Sequence, residues 1–228
     1  MRPAAQFCFV LFLFRFLLLA SDHTTIIEGE CPEPERETVI RIVEAQEELL
    51  AKTLQTEFGI PLRIVFCRDL ADFRNRTGAR IWHGGQYSHG IITLQRLTVL
   101  QEQGILETTL RHEVAHAMLE SLAGPKAPRW LMEGLAVILS EDLSLMAADA
   151  SQACSFSRLE EELHSSDRGR VQAAYSRLAI NARNLVDHCG WLRLHQALSA
   201  LHRGVDTPLQ TMLGECGMLE FYSRPPGG

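Results

Sequence analysis

Two histidines and a glutamate stand together between Arg111 and Met118, in the stretch "RHEVAHAM". His112 and His116 are four apart, so on a helix they project from one face, one turn apart. Two imidazoles placed that way can reach one metal ion at the Zn–N distance of about 2 Å. Glu113 is offset around the helix, where its carboxylate can reach a water on the metal rather than the metal itself. The HExxH pattern therefore offers two ligands and a base from one rigid element. The competing reading is a polar helix that happens to contain two histidines, and a third ligand would decide between them.

A catalytic zinc takes three protein ligands and leaves one position open to solvent. Glu133 is the natural third ligand. It lies beyond the break "AGPKAP", on a second helical stretch that can fold back against the first, and Gly134 beside it permits close helix approach. Glu120, one turn beyond His116, is its competitor. A metzincin would need a glycine and then a histidine soon after the motif, but Ala117-Met118-Leu119-Glu120 stands there.

Periodicity places the elements that must hold these residues. From Glu35 to Phe58 the positions Val39, Ile42, Val43, Ala45, Leu49, Leu50 and Leu54 recur at helical spacing, and Gly59-Ile60-Pro61 ends the helix. "LRIVF" predicts a strand, and a polar helical turn follows around Leu70–Arg76. "TGARIWHGGQYSHGIITLQ" is broken by glycines and ends in the alternation of a second strand, Gly90–Leu94. From Thr98 onward the pattern is helical, with helices expected over about 108–122, 129–140, 156–164, 171–188 and 191–202. One helix and a small sheet followed by packed helices is an α+β layout.

With these elements in view, "RHEVAHAML…PRWLMEGLAVIL" resembles the gluzincin metallopeptidases. It looks in particular like the short exported peptidase-MA-like proteins, which carry HExxH and then a Trp-x-x-Glu-Gly-x-Ala helix. "TGARIWHGGQYSHGIITL" is similar to that family's turn and edge strand, and "AAYSRLAINARNLVDHCGW" to its later tyrosine-bearing helix. The likeness spans roughly residues 60–203 and is strongest over 108–138. It implies a zincin-like fold in which a small mixed sheet and an N-terminal helix pack on a mostly helical part carrying the active-site helix. It also implies one Zn2+ held by His112, His116 and Glu133, with Glu113 as the catalytic base and Tyr175 as a donor to the oxyanion. The expected substrate is a peptide or protein, held in extended form along an edge strand by Gly90, Ile91, Ile92 and Thr93.

Bulk properties limit the partners. The 228-residue chain has length for one good-sized domain, placed at 35–220 between a short lead-in (21–34) and a tail (221–228). Its net charge is −6, with no basic stripe to displace phosphate counterions, which argues against a nucleic-acid partner. "MRPAAQFCFVLFLFRFLLLA" reads as a secretory signal over 1–20, with Arg2 before an apolar run and Ala20-Ser21 as the cleavage point. Arg15 interrupts that run, so an uncleaved anchor is the other reading, and it would be the only membrane attachment. The expectation is an exported protein, periplasmic or extracellular.

Removal of the leader would leave Cys31, Cys67, Cys154, Cys189 and Cys216, an odd number with no CxxC pair. An exported chain could join two of them, and the sequence leaves the pairing open. His83 and His89 in "HGGQYSHG" read as a surface turn. Asp187-His188-Cys189 reads as a helix end rather than a nucleophile. Two functions from different classes remain, a zinc peptidase and a non-catalytic exported binding domain on the same scaffold. A deformylase-like amidase would need an upstream cysteine ligand that is lacking.

Overall fold

The computed structural model describes residues 25–57, 61–80, 83–142 and 155–219. The expected leader, the 221–228 tail and Cys154 lie outside these residues. The elements run β1 (Ile26–Glu28), α1 (Glu33–Leu54), β2 (Arg63–Phe66), α2 (Leu70–Thr77), β3 (Gly85–Ser88), β4 (Ile91–Leu94), α3 (Leu97–Glu102), α4 (Leu106–Ala123), α5 (Arg129–Leu139), α6 (Phe156–Leu163), α7 (Arg168–His202) and α8 (Thr207–Glu215). The architecture is α+β, as expected. Among the described residues no helix is long and apolar enough to cross a membrane.

The sheet has four strands in the order β1-β2-β4-β3. β2 pairs in parallel with both β1 and β4, and β3 runs antiparallel to β4. His89 and Gly90 join β3 to β4 with φ of 49° and 79°, a two-residue hairpin turn that needs positive φ at both positions. This order corrects one expectation. The strand over Gly90–Leu94 is not an edge: β4 is paired on both sides, so Ile91, Ile92 and Thr93 have no free side to offer a peptide, and Gly90 belongs to the turn. The edge on that side of the sheet is β3, inside the segment read as a surface turn. That segment carries too few apolar residues to show a strand period, because glycines occupy three of its eight positions.

α4 is the central helix, packed against α1, α5, α7 and β3. Its buried residues fall on almost every side: Leu106, Leu110, Glu113, Val114, Ala115, Ala117, Met118, Leu119 and Ala123. A helix enclosed this way has lost the single apolar stripe of a surface helix. Gly124, with φ 77°, ends it, and Pro128 opens α5 one short loop later. α5 is buried from Trp130 to Leu139 apart from Met132, and Glu133 is its only ionisable buried residue.

The helices expected at 171–188 and 191–202 are two halves of α7, bent at Gly190 (φ 75°, ψ 158°). α7 begins at Arg168 because the Asp167 side chain accepts hydrogen bonds from the Gly169 and Arg170 amides. β1 and α8 were not expected. β1 is three residues long and α8 nine, and each is stabilised by its neighbours more than by a pattern of its own. Gln46 on α1 donates to the Leu139 carbonyl at the end of α5 (2.9 Å), anchoring the N-terminal helix to α5.

Candidate metal centre

Helix spacing and one tight crossing bring His112, His116 and Glu133 together. Nε2 of His112 and Nε2 of His116 are 3.1 Å apart. Oε2 of Glu133 lies 3.3 Å from the second and 3.7 Å from the first. Ligands held at about 2.0–2.1 Å around a tetrahedral ion stand about 3.3–3.4 Å apart by trigonometry. The observed triangle has that size. All three groups offer one ligand atom within 4.8 Å of the others, the only such trio among the described residues. Glu120, the alternative third ligand, lines the adjoining cavity instead.

The triangle also has the chemistry of a cation site. Among the described residues, Glu133 Oε2 is buried without a well-formed hydrogen bond, its near polar neighbours being the two ring nitrogens. Burial opposes its ionisation, but His116 and His112 outweigh that cost and hold the carboxyl well below the usual carboxylate range. A buried carboxylate oxygen facing two ring nitrogens is costly alone and satisfied by a shared cation. The residues fit a divalent metal that accepts nitrogen and oxygen ligands.

A second layer of contacts aims the ligands. Arg129, four residues before Glu133 on α5, donates through Nε to Glu133 Oε1 (3.3 Å), leaving Oε2 directed at the imidazoles. His164 Nε2 lies 2.8 Å from Arg129 Nη1, while its Nδ1 is 2.8 Å from the Glu160 carbonyl. That pair of contacts requires the proton on Nδ1, so Nε2 accepts from the guanidinium. Glu160 in turn accepts from the Trp130 amide (3.0 Å) at the N-terminal end of α5. Arg129 was legible as an i, i+4 partner of Glu133, but surface pairs at that spacing are common and the sequence alone gave it no role.

Gly134 explains the crossing that positions Glu133. A Cβ there would sit 2.5 Å from the Leu178 carbonyl oxygen of α7, so only glycine allows the approach. The close partner is α7 rather than α4. That same contact brings Tyr175, one turn before Leu178, to the metal side. Its ring centroid is 6.3 Å from that of His112. Burial, then the Glu133 carboxylate, pushes the Tyr175 hydroxyl well above an ordinary phenol, so it stays protonated and able to donate.

Glu113 is held by the edge strand. The Tyr87 amide of β3 donates to Glu113 Oε2 at 2.6 Å, so this amide points away from β4 and into the site. Gly84 and Gly85 make the approach possible. A Cβ at Gly85 would lie 2.7 Å from Leu94 Cδ2, 2.9 Å from Thr109 Cγ2 and 3.0 Å from Glu113 Cγ. One at Gly84 would meet Thr109 Oγ1 at 2.7 Å. Two adjacent glycines are the signal that could have marked close backbone approach in the sequence. Gly85→Val is therefore expected to push α4 from β3, lowering stability by about 1–3 kcal/mol. A melting curve checks it; an unchanged melting temperature would show that the close approach does not depend on this glycine.

Two cavities flank the triangle, of about 630 and 570 Å³. Both are lined by His83, Gly85, His112, Glu113 and Tyr175, so they meet at the site. His83 is thus a wall residue and not part of a remote turn. Its burial pushes the imidazole below its ordinary value, leaving it neutral near pH 7. His89 remains in the hairpin turn, away from the three ligand groups. The chain matches no family model and no curated protein.

Proposed function

We propose that this protein is a zinc-dependent peptidase of gluzincin type, with a zincin-like arrangement of its α+β fold, acting on internal bonds of a peptide. The observation that supports it most directly is the triangle of His112, His116 and Glu133 beside Glu113 and Tyr175. His112, His116 and Glu133 would hold the ion. A bound zinc would supply Lewis-acid polarisation of the scissile carbonyl and lower the pKa of a reacting water.

The protein groups have distinct tasks. Glu113 accepts the proton of the attacking water and delivers it to the leaving amine, the tyrosyl hydroxyl of Tyr175 donates to the carbonyl oxygen as negative charge develops, and Arg129 keeps Glu133 oriented. Its hydrogen bond from the Tyr87 amide leaves Glu113 one oxygen free for the proton. Tyr175→Phe should cut kcat by about 100-fold with little change in metal content; an unaffected kcat would return Tyr175 to a packing role.

The edge strand is now β3, and the hydrogen-bonding register shows which groups face outward. Gln95 N donates to the Gly84 carbonyl, so the alternate residues Gly85 and Tyr87 turn their main-chain groups away from β4. An extended peptide laid along this edge would meet the outward Gly85 groups and the Tyr87 carbonyl, the Tyr87 amide being held by Glu113, and would cross from one cavity to the other. Cavities on both sides favour a bond within a chain over one at its end.

A library of fluorogenic peptides blocked at both termini tests the reading. Hydrolysis is expected, lost on chelation and restored by zinc. Cleavage of free-ended peptides only would overturn the internal-bond assignment, and no chelator-sensitive hydrolysis of either set would overturn the peptidase itself.

A further inference from the structure

Away from the metal centre, the fold brings a second pair of reactive side chains together. Cys189 and Cys216 are 27 residues apart in the chain, yet their Sγ atoms lie 3.2 Å apart. Cys189 is the last residue before the bend at Gly190, and Cys216 caps the C-terminal end of α8. Arg193 and Glu215 form an ion pair of 2.6 Å beside them, fixing the same two elements in the same register. Both thiols are half-buried, within reach of a small oxidant, whereas Cys31 and Cys67 are buried in the interior.

We propose that Cys189 and Cys216 are a disulfide-forming pair that staples the end of the first half of α7, at the Gly190 bend, to α8. A disulfide is about 2.05 Å long, so the observed sulfurs need about 1 Å of closure, within the reach of side-chain rotation. The oxidant is a small-molecule or protein disulfide, the kind an exported chain meets. Burial, then the adjacent Cys189 sulfur, pushes the Cys216 thiol up to about 11. The Cys189 thiolate attacks the oxidant's S–S bond, forming a mixed disulfide and releasing one thiolate. Cys216 then loses its proton to solvent and attacks the Cys189 sulfur, releasing the second thiolate. Two protein thiols are oxidised and one disulfide is reduced to two thiols.

The staple closes a loop whose unfolded-state freedom is otherwise large, so its effect is on stability. Tyr175 is about 21 Å along the helix axis from Cys189, at 1.5 Å per residue. The pair can therefore fail without consequence for the metal site, and the reverse.

The full-length protein, purified reduced, is treated with oxidised glutathione, alkylated under denaturing conditions, digested and analysed by mass spectrometry. Expected is one linked peptide pair joining Cys189 to Cys216, with Cys31 and Cys67 alkylated. The oxidised form should melt about 5–10 °C above the reduced form, and Cys189→Ser or Cys216→Ser should abolish that difference. Recovery of both thiols alkylated or carrying glutathione, a link to any other cysteine, or a link without a melting difference would overturn the proposal.

Discussion

Glu113→Gln is expected to leave a folded protein with its metal and to reduce hydrolysis by about 1,000-fold or more. The substitution keeps an oxygen able to accept the Tyr87 amide, the hydrogen bond that holds this side chain. It also adds no atoms where Glu113 Cγ already crowds Gly85. What it removes is the ability to take and return a proton. A scaffold that only binds peptide would lose nothing in this variant. Steady-state kinetics with matched metal analysis separates the two classes of function left open by the sequence, and wild-type kcat in the variant would refute the assignment of the base.

Glu133→Ala is expected to strip the metal. One of three ligands goes, and the loss of affinity should exceed the roughly 10–100-fold that removal of an outer-shell partner costs. Alanine is a good helix former, and the change removes a buried carboxylate oxygen that lacks a well-formed hydrogen bond, so the metal-free fold should survive. Far-UV circular dichroism would show retained helix, while metal content after dialysis falls from about one ion per chain towards none. Glu120→Ala is the control, because Glu120 lies in the cavity wall and outside the ligand trio. If the Glu120 variant lost the ion and the Glu133 variant kept it, the ligand set would have to be redrawn.

The part of the site carried by single helices was legible in the sequence. His112, Glu113 and His116 share one rigid element, and helical spacing alone fixes their relation. Glu133 required two elements to meet, and the sequence supplied the cue in Gly134, although the crossing it permits is with α7. The sheet was harder to read. β3 has one buried position, Gly85, and its pairing comes from the hairpin turn and the packing of α4, which no alternation of residues records. β4, the apolar strand shortly before the His-bearing helix, therefore looked like the substrate platform when its main chain is already committed on both sides. The break at Gly190 was easier: the two helical patterns at 171–188 and 191–202 correspond to the two helical halves on either side of it.

The most direct test of the centre is X-ray absorption at the zinc edge on the purified wild-type protein reloaded with zinc. One ion per chain, surrounded only by nitrogen and oxygen at about 2.0–2.2 Å with the ring scattering of two imidazoles, is the expected result. A sulfur shell near 2.3 Å, or zinc that washes away and leaves no ordered shell, would contradict a site built from His112, His116 and Glu133.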